Sequence, residues 1–184
     1  VVAMTPEGGE PKISAAPIPA RMLAYLVDFV CPLGTFVVLV VLAVQHSPST
    51  WWTLAWATTA AAVAGMVGRN RILRQGRTGR TWGRILTGTR TVVGSHDRSP
   101  GIPRTVLRET AHFVDLLPVL IIWLWPWRGR AGQSFADALA GTWVITDRTA
   151  AAAADRRTAR RMALVSVVGF ASALVLLCIC RYRA

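Results

Sequence analysis

Lysine is all but missing from this chain of 184 residues: its 21 basic positions hold one lysine, Lys12, and otherwise arginine. Acidic residues number nine, which leaves a formal charge of +12. The three histidines, His46, His96 and His112, are scattered, with no cysteine or carboxylate at ligand spacing. That excludes a histidine-based metal or acid–base centre. Cys31, Cys178 and Cys180 all sit in apolar runs and read as small hydrophobes, which excludes a disulfide framework. A phosphate-binding loop is excluded at Gly83 and Gly88, which have the right spacing but are followed by Thr89 where the loop needs lysine. Ser134, within Gly132-Gln133-Ser134-Phe135, has no histidine in a second apolar helix to act as its base. No cofactor motif is present, and the chain reads as non-enzymatic. A basic balance can serve nucleic acid. Here no aromatic-interleaved reader accompanies the arginines, so nucleic acid is not an expected partner.

What the chain has instead is apolar length. Hydrophobic residues make up 53% of it, rare in a soluble domain that is also this basic, so a membrane is the first class to consider. Residues 1–20 carry Pro6, Gly8, Gly9, Pro11, Pro17 and Pro19 and too few apolar residues to pack. They read as a disordered cytoplasmic tail without the features of a signal peptide. The first apolar run, about 22–44, is long enough for one crossing at about 20 residues. A loop without Lys or Arg follows, then Trp51 and Trp52 as interface markers, and a second run to Gly68. That run is rich in small residues (Ala57, Ala60, Ala61, Ala64, Gly65, Gly68), which permit close helix approach. Arg69, Arg71 and Arg74 come next, so the positive-inside rule places the short loop outside and the tail and Arg69 in the cytoplasm.

The third apolar run, Leu116 to Trp127, contains Pro118 and Pro126 and is short for a crossing. It reads as a re-entrant or interfacial segment, with a full crossing that borrows residues 105–112 nearly level. From Thr149 to Cys180 the chain reads as one helix. Arg156, Arg157, Arg160 and Arg161 form a basic collar, Met162–Cys180 forms a span, and Gly169 and Ala173 offer a packing face. Arg90–Val93 and Thr142–Thr146 have strand character and predict a small cytoplasmic ribbon. The expected fold class is all-α: a polytopic membrane helix bundle of three to four membrane segments with basic cytoplasmic loops.

Asp28 lies two turns inside the first run. An ionised carboxylate at depth costs roughly 2.5–3.5 kcal/mol and demands a partner or a water-filled cavity. Arg21, one face but roughly 10 Å away along the helix, makes a polar strip with it rather than a direct salt bridge. Two readings stand about even: a structural Asp28 neutralised by Arg69 or Arg71, and a proton or cation site. Asp115 and Asp137 are the other carboxylates near apolar segments, and Asp137 reads as a cap or turn carboxylate ordering Ala138–Thr142. Residues 79–88 read as an amphipathic surface segment, Arg80 and Arg84 toward lipid phosphates and Trp82, Ile85 and Leu86 buried. Arg157 and Arg161 are further candidates for anionic-lipid contact.

Four motifs in order carry a resemblance. Arg21-Met22-Leu23-Ala24-Tyr25-Leu26-Val27-Asp28 resembles the opening of the RDD family of bacterial membrane proteins, named for one Arg and two Asp. Thr78 to Val93 is similar to the family's G-x-T-x-G-K-x-x-x-G-x-x-V-V stretch, with Arg84 at the usual lysine. Arg108 and Asp115 fit the segment after it, and Ser134 to Ile145 resembles the closing D-x-x-x-G-T-x-V-V. The resemblance implies that the family's Arg is Arg21, its first Asp is Asp28 and its second is Asp137, with Asp115 in reserve. It covers about residues 17–147 and leaves the final helix outside. The expected organisation is a tail (1–20), an RDD-like membrane domain (21–147), and a basic linker helix with a C-terminal transmembrane helix (148–184). That layout also resembles actinobacterial Mce-associated membrane proteins, which implies an Mce-type lipid transporter as partner. The leading expectation is a non-enzymatic accessory or scaffold subunit of a transport-type complex in the bacterial cytoplasmic membrane. It packs on other membrane subunits and contacts anionic phospholipids. The alternative is a small oligomeric cation/proton transporter using Asp28.

Overall fold

A computed structural model of the protein describes residues 15–46, 50–94, 98–115, 133–147 and 149–183. The first apolar run is one continuous helix made of α1 (Ile18–Tyr25), a π-helical turn (Leu26–Val30) and α2 (Cys31–His46). Pro32 accounts for the turn. Proline lacks the N–H that would bond the carbonyl of residue 28, and its ring crowds that carbonyl. Widening the ladder by one residue, with the Cys31 N–H on Leu26 O, relieves both problems. Asp28 sits in that turn. The order of the chain also begins earlier than expected: Ala16 N–H donates to Val144 O at 2.8 Å, and Pro19 fits the first turn of α1. The tail as far as residue 14, the loop at 47–49 and the third apolar run, 116–127, lie outside the described residues.

α3 (Thr50–Gly68) returns along α2 as the expected hairpin. It contains four threonines and three tryptophans, and among the described residues the helices long and apolar enough to cross a membrane are instead Ile18–Gln45 and Ala154–Cys180. Part of the α3 polarity is hidden, because Thr58 and Thr59 turn their hydroxyls back onto Leu54 and Ala55 carbonyls. α3 runs straight into a second π-helical turn (Arg69–Arg74) and α4 (Gln75–Thr78). Thr81 then caps α5 (Trp82–Thr87) by accepting the Arg84 N–H, and Gly88, at φ +64°, ends it. β1 (Thr89–Val93) follows, then α6 (Gly101–Asp115), α7 (Phe135–Ala140), β2 (Thr142–Thr146) and α8 (Ala150–Arg183). β1 and β2 pair antiparallel with Thr91 opposite Val144, the ribbon expected from their composition.

α2 and α8 run parallel. The α2 backbone at Gly34 lies against the Phe170 ring, and further along Val38 and Leu42 bury Ala173, with Leu177 and Cys180 packed on them. The α8 seam is built from small residues, Ala159, Ala163, Ser166 and Ala173. Gly169 is not part of it, since a Cβ there meets nothing within 4 Å. Leu164, Val165, Val168 and Val175 on α8 are exposed, as expected of side chains whose solvent is lipid. α6 is inside-out in the same sense: Thr105 and Arg108 point inward, while Ile102, Val106 and Leu107 point outward. The helical bundle thus has an apolar end (α2, α3 and most of α8) and a polar end holding the remaining elements.

Candidate functional site

The polar end is knit by carboxylates, and the two π-helical turns meet at the first of them. Asp28, 5% exposed, accepts from Asn70 Nδ2 at 2.8 Å and from Gly83 N–H at 2.9 Å through Oδ1, and from the Thr81 hydroxyl through Oδ2. Asn70 in turn accepts the Trp82 N–H through Oδ1 at 3.1 Å. The expected arginine partner is therefore replaced by neutral donors. Arg71 turns instead to Glu109 and lies over the neighbouring rings of Tyr25 and Phe29, 5.1 and 4.8 Å from their centroids. Gly83 has to be glycine here: a Cβ would stand 2.5 Å from Ala24 O and 2.7 Å from Asp28 Oδ2.

Asp137 anchors a second cluster. Ser134 caps α7 by accepting the Asp137 N–H at 3.1 Å and donates its hydroxyl to Asp137 Oδ2 at 2.9 Å. Ser134 is thus the cap, and Asp137, expected from the sequence as a cap or turn carboxylate, stands at the third position of α7. Asp137 also takes Arg108 Nε on Oδ1 at 2.6 Å, with the Thr142 hydroxyl at 3.2 Å. Arg108 reaches Glu109 at 3.2 Å, and Glu109 binds Arg71, so charges alternate along Asp137, Arg108, Glu109 and Arg71. Burial alone would raise both carboxyls. The flanking guanidiniums outweigh it and hold Asp137 and Glu109 below the ordinary carboxylate range. Arg21 feels the charges of Asp137 and Arg108 and donates Nη2 to Val144 O at 3.0 Å. The fold therefore brings Arg21 toward Asp137, and Asp28 forms its own node. Asp115 closes α6, and its side chain lies outside the described residues.

Arg84 lies between the two clusters. It is 9% exposed, and its Nη1 is buried without a hydrogen-bond partner among the described residues. Burial, deepened by Arg108 and opposed by Asp137, Glu109 and Asp28, lowers this guanidinium to about 9, which leaves it charged at neutral pH. The lipid-facing role expected of Arg84 does not fit a buried side chain: α5 is packed between α1 and α8, not laid on a surface. Arg80 is also engaged, with Nε on Asp147 at 2.5 Å and Nη2 on Thr149 at 2.9 Å. Trp82 is half-buried, whereas Arg157 and Arg161 are exposed on α8. Asp147, overlooked in the sequence, closes the ribbon onto the start of α8 by accepting the Thr149 N–H at 3.1 Å.

Asn70, Thr81, Glu109 and Asp147 complete these nodes without having been singled out. Thr81 was legible as an N-cap two residues before a glycine, and Glu109 as the lone acid beside Arg108. Asn70 was hidden among arginines. Among the described residues, no three His, Cys, Asp or Glu side chains come together to hold a metal ion.

The family profile that matches is that of the RDD family, over residues 15–181. It runs past residue 147 and takes in α8, in keeping with the packing of that helix on α2. No curated protein and no solved structure gave a match. The chain belongs to the RDD family, and it is a membrane protein.

Proposed function

We propose that this RDD protein is a non-enzymatic accessory or scaffold subunit of a complex in the bacterial cytoplasmic membrane, its polar end toward the cytoplasm. The observation that carries the reading is that the signature carboxylates are saturated from within. Asp28 has three internal donors, and the Asp137 carboxylate has a guanidinium and two hydroxyls. Groups so fully engaged fasten elements together and leave nothing to hold a substrate. α2, α3 and α8 cross the membrane in this reading, and the parallel run of α2 and α8 sends the end of α8 to the face opposite the polar end. The partner is a membrane helix docking on α3, where Ala57, Ala61, Ala64 and Gly65 are exposed and a Cβ at Gly65 or Gly68 meets nothing within 4 Å. Anionic phospholipid around Arg157 and Arg161 completes its surroundings.

Purification in mild detergent tests the proposal. A second membrane protein should co-purify with the wild type and be lost from Gly65→Leu, whose own abundance is unchanged. A monomer that stays alone in every mild detergent argues against it.

A cation/proton transporter working through Asp28 is the second reading. It is favoured by the burial of the Asp28 carboxylate among hydrogen-bond donors that are all neutral.

A further inference from the structure

Apart from the buried network, a cavity of about 450 Å³ opens where the start of α1, the end of α5, the ribbon and the first turns of α8 meet. Pro17, Ala20 and Leu86 give it an apolar wall, and Arg156 and Arg160 line it from α8. Those two arginines are one helical turn apart, share a face, and are exposed. Neither makes an ion pair among the described residues. The nearby carboxylates are already taken. Asp147, which also lines the cavity, is held by Arg80 at 2.5 Å, with Arg90 at 4.0 Å, and Asp155 is held by Arg74 at 2.5 Å. The groove is therefore cationic on balance.

Its position on α8 says what kind of anion fits. Leu164 and Val167 continue the face of Arg156 and Arg160, are exposed, and lie within the apolar stretch Ala154–Cys180. Two guanidiniums above an apolar track match the order of a phosphate headgroup and an acyl chain. Arginine suits the phosphate because its planar fork can give two parallel hydrogen bonds to phosphate oxygens.

We propose that this groove binds a phospholipid, its phosphate between Arg156 and Arg160 and one acyl chain along Leu164 and Val167. The site does not depend on the scaffold reading, since a protein acting alone could hold the same lipid.

Native mass spectrometry of the full chain in neutral detergent, titrated with phosphatidylglycerol, tests the site. The double variant Arg156→Gln/Arg160→Gln should bind about thirty-fold more weakly than wild type, from one surface-charge contribution for each of the two arginines. Arg77→Gln/Arg104→Gln, which removes the same charge from exposed arginines outside the groove, should change binding by about two-fold or less. Ala20→Trp, which fills the groove from its other wall, should weaken binding as the first double variant does. Chain-matched diacylglycerol should not bind, and inorganic phosphate should not displace the lipid. Equal losses in the two arginine pairs would reduce the effect to diffuse charge and overturn the groove. Displacement by inorganic phosphate would reassign it to a free anion, and failure of the wild type to retain the lipid would remove it altogether.

Discussion

Truncating Asp28 to alanine removes the acceptor that gathers three segments. The donors left behind are Asn70 Nδ2, the Thr81 hydroxyl and the Gly83 N–H, and all three residues are buried. Stranding a buried donor costs about 1–3 kcal/mol. The Thr81 hydroxyl can rotate, and the space vacated by the carboxylate can admit water, so the sum falls toward the low end, about 3–5 kcal/mol. That is a large part of a stability of about 5–15 kcal/mol. Asp28→Asn is milder. Its Oδ1 keeps Asn70 and Gly83, and its amide can donate to Thr81, so the loss is about 1–2 kcal/mol. The assay is thermal unfolding in detergent, with membrane abundance alongside. The two should rank wild type, then Asp28→Asn, then Asp28→Ala. A double-mutant cycle with Asn70→Ala sharpens the test, because Asn70→Ala should cost at least about 1 kcal/mol less once Asp28 is alanine. Wild-type stability in Asp28→Ala, or strict additivity with Asn70→Ala, refutes the latch.

Other expected outcomes follow from the neighbouring charges. Arg108→Met strands Asp137 and should destabilise by about 3–5 kcal/mol. Arg84→Met removes a buried cation that has an unpartnered nitrogen and should leave the melting temperature equal or higher, so a matching loss in both variants would contradict the assignment. Asp137, Glu109 and Asp147 are held below their ordinary values in the fold. Their stabilisation is fully present above the unfolded carboxylate range near 4 and fades as pH falls through the lowered values. The melting temperature should therefore stay level from about pH 7 to 5 and drop below about 4, and a drop already under way at pH 6 would point to another group. Gly83→Ala should destabilise strongly, because its Cβ would stand 2.5 Å from the Ala24 carbonyl oxygen, a backbone atom of α1; a melting temperature like wild type would show that α5 can shift away.

The helices were legible because apolar runs and arginine collars are one-dimensional signals. Hydropathy and positive-inside charge located α2, α3 and α8, and β-branched residues located the ribbon. The partners of the buried carboxylates were not legible, because they are fixed by the fold. Asp28 was expected to find Arg69 or Arg71, both on the right stretch. The π-helical turns select Asn70 instead and send Arg71 to Glu109 and two rings. Arg84 was misread for a related reason: a short basic, tryptophan-containing segment looks like a surface helix until α1 and α8 are seen to enclose it. α8 looked like an addition because the resemblance ended at the ribbon. Its seam of alanines against α2 and α5 makes it part of the unit.

The central claim is that the signature residues fasten the polar end and do not move an ion. Purified protein reconstituted alone into liposomes should give no cation-dependent proton flux above empty vesicles, in wild type and Asp28→Asn alike. Flux in the wild type that disappears in a fully folded Asp28→Asn would contradict the claim and establish Asp28 as a transport site.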